Sequence, residues 1–272
     1  MNNPPVTPKK TAPSIGVAII TKDAEAHLEE CLRSVKTWVD DIVILDSGST
    51  DRTLEIAQAA GARIISTSDW PGFGPQKNRA ISHLHTEWIL SLDADEVVSS
   101  ELAQSILHAT GSDLNQVYAL ARLSNFCGRW MRHSGWYPDH VYRLFRQGCA
   151  RFSDDLVHER LLFEHKASAL PGVLKHYSFD NLDQVIEKMN RYSSAGALQR
   201  HQNGKRSKSI LAALAKSLWS FFRTYLFRRG FLDGREGFIL AIANAEGTFY
   251  RQLKLIQLNK NTNENIRHHQ HI

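Results

Sequence analysis

The sequence predicts an α/β fold with a mostly parallel central sheet, and three observations carry that expectation. Four short apolar runs rich in β-branched and aliphatic residues, SIGVAII (14–20), DIVILD (41–46), ARIIST (62–67) and EWILSLD (87–93), read as strands. Stretches with apolar residues at helical spacing lie between them and are long enough for crossovers, so the strands should run parallel with helices on both faces. Two of the runs close on an aspartate, Asp46 and Asp93, at the strand ends where open α/β sheets bind their ligands.

Each element follows from its residues in turn. After the first run, Asp23 stands where an N-cap belongs, ahead of a helix that places Leu28, Cys31, Leu32 and Val35 on one face. Ser49, Thr50 and Asp51 are cap candidates for a second helix that stops at Gly61, a residue suited to the left-handed conformation past a helix end. The breaker cluster DWPGFGP separates the third run from a short helix beginning near Gln76, and the fourth run follows.

The chain has 272 residues, 42% of them hydrophobic, enough for one sizeable α/β domain with an appendage. Residues 14–205 should form that domain, in two halves, 14–100 and 101–205. Residues 206–258 read as an amphipathic helical segment, and 1–13 and 259–272 as flexible tails. The tail before Ser14 is Pro-rich and lacks the apolar stretch of a signal peptide, so secretion is not expected. Cys31, Cys127 and Cys149 have no C-x-x-C spacing, which argues against a disulfide framework and a cysteine zinc site and fits a reducing cytosol. The net charge of +5 suits phosphate-bearing ligands or an anionic membrane surface; no nucleic-acid partner is expected.

ILSLDADEVV (89–98) ends an apolar run on Asp93, Asp95 and Glu96. Buried carboxylates are costly unless paired or bound to a cation, so the placement points to a cleft that holds one. An isolated D-x-D is weak evidence, since one arises by chance in a chain of this length about half the time. A divalent Mn²⁺ or Mg²⁺ with phosphate ligands needs only one or two protein carboxylates; Asp95 is the expected direct ligand, with Asp93 beside it.

In order along the first 100 residues, TKDAEAHLEECLRSV, DIVILDSGSTDRTLEIA, GFGPQKNRAI and WILSLDADE together resemble the family 2 glycosyltransferases of the GT-A, nucleotide-diphospho-sugar fold. The resemblance implies that Thr21, Asp46 and Ser47 serve the nucleotide, Asp46 through the uridine. It implies further that Lys77, Asn78 and Arg79 lie near the nucleotide and diphosphate, and that Asp93 and Asp95 serve the ribose and the metal. The family commonly has two aspartates before the Gly-Ser, whereas here Ser47 follows Asp46.

Beyond residue 100, FCGRWMRHSGWYPDHVYRLFRQG combines Trp130, Trp136 and Tyr137 with arginines and Asp139, a composition that suits an anionic glycan or plain core packing. FSDDLVHERL follows, with Asp154, Asp155, His158 and Glu159. An inverting transfer needs a carboxylate to take the acceptor hydroxyl's proton, and the family's base lies in an acidic motif after the D-x-D. Glu159 is the first candidate, Asp155 its rival and Asp139 the next; VHER stands where the family more often has a Glu-Asp pair. His158 and His176 read as structural rather than ligating.

In SILAALAKSLWSFFRTYLFRRGFLDGREGF, Leu211, Leu214, Leu218, Phe222 and Tyr225 recur at helical spacing, while Lys216, Ser220 and Arg223 lie on another face. Lys216 and Arg223 argue against a spanning helix; aromatics on one side with Arg228 and Arg229 at the end read as an interfacial helix, or else as one packed on the catalytic domain. His268, His269 and His271 in the last stretch could bind metal adventitiously.

WYPDHVYRLFR, LVHERL, EKMNRYS and RRGFLDGREGF extend the likeness over most of 14–255 to lipopolysaccharide core glycosyltransferases that add glucose to the inner-core heptose. That implies a UDP-sugar donor, UDP-glucose, and a lipid A-linked Kdo-heptose acceptor. It also implies a peripheral place on the cytoplasmic face of a bacterial inner membrane. Two other readings stay open: a haloacid dehalogenase-like sugar phosphatase with Asp93 as nucleophile and Asp95 as acid/base, and a non-catalytic membrane adaptor.

Overall fold

The computed structural model describes residues 12–112, 114–155, 159–164, 166–207 and 209–269. Residues 1–11, His158 and the side chains of His268, His269 and His271, for which expectations were stated above, lie outside this description. The chain divides into two compact units: the first runs to Arg122 and takes in Asp139–His176, and the second comprises Leu123–Pro138 and everything from Tyr177.

In the first unit the expected alternation is realised as β1 (Ile15–Thr21), α1 (Leu28–Val35), β2 (Asp41–Asp46), α2 (Thr53–Ala59), β3 (Arg63–Ser66), α3 (Phe73–Ser82) and β4 (Trp88–Asp93). β1 is buried along its whole length and pairs in parallel with β2 on one side and β4 on the other, and β3 extends the parallel set beyond β2. The registers Thr21↔Asp46 and Ile20↔Asp93 bring the three strand ends level, so Asp46 and Asp93 face one edge. Helices cover both faces. Leu28, Cys31, Leu32 and Val35 of α1 pack with Val17, Ile19 and Leu90 on one side, and Ala80 of α3, with Leu84 just beyond it, packs with Ala18, Val43 and Ile89 on the other.

The sheet as a whole is mixed rather than mostly parallel. After β5 (Glu96–Val98) and α4 (Ser100–Thr110), the chain forms β6 (Val117–Phe126), β7 (Arg129–Trp130), β8 (Asp139–Arg146), β9 (Arg151–Phe152), β10 (Leu161–Leu162) and β11 (Ala167–Phe179). The order is β3-β2-β1-β4-β8-β6-β11-β5, with β8 antiparallel to both β4 and β6, and β5 antiparallel to β11. The reason lies in the connections. Antiparallel neighbours need no crossover helix, and between α4 and the end of β11 the described residues contain none.

Three helix starts differ from expectation. α2 begins at Thr53 after Arg52, not after Ser49, Thr50 or Asp51, although Asp51 does accept the Thr53 N–H at 3.0 Å. α1 begins at Leu28 after His27, with no side-chain cap, and Asp23 instead accepts the Thr50 backbone N–H at 2.7 Å, across the strand ends. α3 begins at Phe73, three residues before Gln76. Gly61 does end α2's turn in the left-handed region, at φ 82°.

The second unit is mostly helical, with β7 and the ends of β6 and β11 as its strand content. α5 (Leu182–Gln202), α6 (Ile210–Phe222), a π turn (Arg223–Phe227), a 3-10 turn (Gly230–Asp233) and α7 (Gly234–His269) follow one another, and α5 and α6 both lie on α7. The break expected at 205–206 therefore falls inside this unit, between two helices that share a partner. Its core holds Phe126, Met131, Val185 and Leu240, and the half-buried Trp136 packs against it edge-on to Phe126 at 5.6 Å. Among the described residues no helix is long and apolar enough to cross a membrane.

α6 presents its faces in an unusual sense. Its small and polar side meets α7: Ala213 and Ser217 are buried, Ser217 Oγ donates to the Ala245 carbonyl at 2.8 Å, and Lys216 Nζ donates to Gln252 Oε1 at 3.2 Å. Its apolar side is exposed, with Leu211 at 77% and Trp219 at 60%.

Asp233, buried at the end of the 3-10 turn, accepts the backbone N–H groups of Arg132 and His133 and the Ser134 hydroxyl, the last at 2.8 Å. A hydrogen bond to a charged group contributes about 1.5–3 kcal/mol, and truncation strands the buried Ser134 hydroxyl. Asp233→Ala should lower unfolding free energy by about 3 kcal/mol in urea titrations, and Asp233→Asn by less; an unchanged midpoint for the alanine variant would contradict this account.

Candidate active site

The carboxyl ends of β1, β2 and β4 form an acidic edge, all of it within the first unit. At β2 the chain must turn at once into the loop before α2, and the buried Asp46 closes that turn. Its Oδ2 accepts the N–H groups of Gly48 and Ser49, both at 2.9 Å, while its Oδ1 accepts the hydroxyls of Thr21, at 2.9 Å, and Ser49. Burial raises the Asp46 carboxyl, but these bonds, led by that of the Ser49 hydroxyl, outweigh it and hold the group below its ordinary range. Thr21 is thereby tied to Asp46, and Ser47 Oγ accepts from Gln76 Nε2 of α3 at 3.0 Å.

At β4 the turn Ala94–Asp95 separates β4 from β5, and the three carboxylates of DADE part company. Asp93 Oδ1 pairs with Lys77 Nζ at 2.9 Å, and its Oδ2 with Arg143 Nη2. Glu96, fully buried, accepts the Asp93 backbone N–H at 3.0 Å and pairs with Arg143 Nη2 at 2.8 Å and Arg122 Nη1 at 3.5 Å. Arg122 in turn reaches Asp139 at 2.6 Å. On the other side, Lys77 Nζ also pairs with Glu159 at 3.0 Å. Glu159, Lys77, Asp93, Arg143, Glu96, Arg122 and Asp139 thus alternate in sign along one continuous ladder. Burial alone would raise the Asp93 carboxyl, but Arg143 and Lys77 hold it well below the carboxylate range.

Close approach of α3 to the β9–β10 hairpin makes the Lys77–Glu159 bond possible. Asn78 fixes that approach by exchanging two bonds with the Phe152 backbone, at 2.9 and 2.8 Å. Gly74 permits it: a Cβ there would stand 1.8 Å from the Ser153 carbonyl oxygen. Arg79 is turned away toward Asp69, at 2.9 Å. Asp155 accepts the Ser153 hydroxyl at 2.8 Å and lies 3.7 Å from Arg160.

Asp95 stands apart from the ladder. Its carboxylate is 39% exposed and faces His176 Nε2 of β11 at 3.5 Å. An exposed carboxylate with an imidazole nitrogen beside it fits a Mn²⁺ or Mg²⁺ ion that draws its remaining ligands from phosphate and water. Among the described residues no group of three or more His, Cys, Asp or Glu side chains is placed to hold an ion by itself.

Of the residues singled out from sequence, Lys77, Asp93 and Glu159 come together; Thr21, Asp46 and Ser47 gather at the neighbouring loop; Asn78 and Arg79 serve α3's own anchoring. Arg143 was not singled out, although VYRLFR (141–146) places an arginine inside a strand, a rare position unless a buried carboxylate answers it.

A curved α/β sheet with an acidic, cation-laced edge at its parallel strand ends defines a GT-A-like fold. The chain belongs to glycosyl transferase family 2, whose model matches residues 16–161. It is 31% identical over 256 residues, 90% of this chain and 87% of the other, to an uncharacterized glycosyltransferase of Rickettsia typhi. It is 32% identical over 254 residues, 88% of this chain and 90% of the other, to the lipopolysaccharide core biosynthesis glycosyltransferase LpsC of Rhizobium meliloti. It is also similar to the crystal structure of glucosyl-3-phosphoglycerate synthase from Mycobacterium tuberculosis, at 23% identity over 42% of this chain and 44% of that one, with a TM-score of 0.36. Membership of a transferase family leaves the phosphatase and adaptor readings without support.

Because Gly74 sits against backbone, Gly74→Ala must push α3 away from the hairpin. Overpacking of this kind costs about 1–3 kcal/mol and should also part Lys77 from Glu159. Chemical denaturation should show that loss, whereas Phe73→Ala, at an exposed neighbour, should not; equal stability of Gly74→Ala and the parent would refute the close-approach account.

Proposed function

We propose that the protein moves glucose from UDP-glucose, with inversion, onto the heptose of a lipid A-linked lipopolysaccharide inner core. The observation that carries this reading is the Lys77 bridge, which joins the D-x-D aspartate Asp93 to Glu159, 66 positions further along the sequence. The family and the LpsC relative support the transfer and the acceptor class; the donor sugar is the resemblance's contribution.

In this reading the C1–O bond to the diphosphate breaks with its electron pair passing to the leaving UDP, and the acceptor oxygen bonds to C1 from the opposite face. The acceptor's proton goes to the Glu159 carboxylate, which its bond from the Lys77 ammonium holds in place. Asp155, braced by Ser153, supports the loop behind it. Thr21, Asp46 and Ser47 shape the nucleotide side of the edge, and the ammonium of Lys77 lies where the charge of a diphosphate would be answered. A divalent ion held through Asp95 supplies Lewis-acid stabilisation of the departing diphosphate when bound.

The acceptor's lipid fits the second unit. The exposed side of α6 and the following turn carries Leu211, Leu214, Leu218, Trp219, Phe222 and Phe227. From Lys188 to Leu232 the sequence has ten Lys and Arg residues and no Asp or Glu. An apolar face set in an acid-free, basic segment matches the interface of an anionic bilayer, where each cation near the surface is worth about 1 kcal/mol. We read the protein as peripheral, on the cytoplasmic face of an inner membrane.

Incubated with UDP-glucose and a heptose-terminated, lipid A-linked acceptor, the protein should transfer glucose and stop on addition of EDTA. Glu159→Gln should lower kcat by about 10²–10⁴-fold with the donor KM nearly unchanged, and Asp155→Asn should do less. Full turnover in excess EDTA would remove the metal from the reading, and a normal kcat for Glu159→Gln would move the base elsewhere.

The membrane face has its own check. The parent should sediment with phosphatidylglycerol vesicles at low salt, and the triple change Leu218→Ser, Trp219→Ser, Phe222→Ser should release it without lowering the melting temperature, since these side chains are already exposed. A parent that stays in the supernatant would rule this face out.

A further inference from the structure

The tip of the D-x-D turn is set from the neighbouring strand. β4 ends at Asp93, β5 begins at Glu96, and Asp95 lies between them, so the direction of its carboxylate depends on how the two flanks are held. Both flanks end on a single nitrogen: Arg143 Nη2 donates to Asp93 Oδ2 and to Glu96 Oε1. Glu96 closes the turn a second time through its bond from the Asp93 N–H. Arg143 comes from β8, where the pairing Leu90↔Leu144 fixes it beside the end of β4, and it is only 6% exposed. Its Nε is buried with no hydrogen-bond partner, which is costly for a guanidinium and is accepted here while Nη2 spans two carboxylates.

We infer that Arg143 is a positioning residue for the cation site: by clamping Asp93 and Glu96 to one point it neutralises two of the three DADE carboxylates and leaves Asp95, at the tip, as the one presented to a metal ion. The inference rests on the proposed role of Asp95. A lysine at 143 is one atom shorter than arginine, so its nitrogen should fall short of the point where Nη2 meets both flanks.

The test is Mn²⁺ binding in the presence of UDP, read from the electron paramagnetic resonance of free Mn²⁺ and so independent of turnover. Arg143→Lys should raise the half-saturating Mn²⁺ concentration by about 10–100-fold, as loss of a residue that orients a metal ligand typically does. The isosteric Glu96→Gln, which loosens the same clamp from its other end, should raise it by a smaller factor. Leu144→Ala, a core change on the same strand, should lower the melting temperature and leave Mn²⁺ binding alone. Wild-type Mn²⁺ affinity in either folded clamp variant overturns the inference, as does a Leu144→Ala shift equal to theirs. If the parent binds Mn²⁺ and Asp95→Asn does not, a failure of the Arg143 arm falls on the clamp alone; if the parent binds none, the metal reading fails and the inference with it.

Discussion

Burial of two cations, Lys77 and Arg143, is the constraint around which the first unit is arranged. Neither can leave water without carboxylates on more than one side, and an uncompensated buried charge is among the most destabilising features a fold can carry. Asp93 answers both at once, which fixes the end of β4; Glu96 answers Arg143 and fixes the start of β5; Glu159 answers Lys77 and brings in the hairpin after β9. Strand ends, a helix and a hairpin that are far apart in sequence are thereby held to one another by charge as well as by apolar packing. The acidity of the edge is largely spent internally, and Asp95 is what remains outward.

Much of the parallel half was legible in the sequence because its signals are local. Runs such as DIVILD and WILSLD are short, apolar and bounded by breakers, and their closing aspartates mark the ligand edge without help from the rest of the chain. The antiparallel half gave no such signal. β8 alternates half-buried and exposed residues over its first half, and β11 is half-buried along most of its length, so neither resembles the apolar runs of the parallel set. With β8 unread, Arg143 had no place, and the pairing of Glu96 and Asp93 through it could not be inferred. Asp23 shows the same limit at smaller scale: its side chain is a cap by composition, but its partner is the Thr50 N–H of a different loop, a tertiary choice that no local pattern encodes.

The second unit inverts a familiar expectation. The helical spacing in SILAALAKSLWSFF was readable, yet periodicity tells which residues share a face and not which face turns inward. Ser217, Ser220 and Lys216 find partners on α7, so the small and polar side packs and the apolar side is left to the surroundings. The hydroxyls make this possible, since each bonds to a carbonyl of a neighbouring helix that the helix's own ladder already uses once. Under the function proposed above, a lipid-borne acceptor is well served by a helix whose packing leaves its apolar residues uncommitted.

The loops that follow β1 and β2 are bound to each other by reciprocal side-chain to backbone bonds. Asp23 takes the Thr50 N–H, Ser49 takes the Asp23 N–H, Asp51 takes that of Glu25, and Glu25 takes that of Arg52. Four side chains thus serve the backbone of the opposite loop, and neither loop can change shape without the other releasing its amides. Two segments that would each lose backbone freedom on meeting a ligand have already lost it in the folded chain. A molecule lodging against them meets a stiff wall whose ordering cost was settled during folding, and more of its contact energy is retained as affinity.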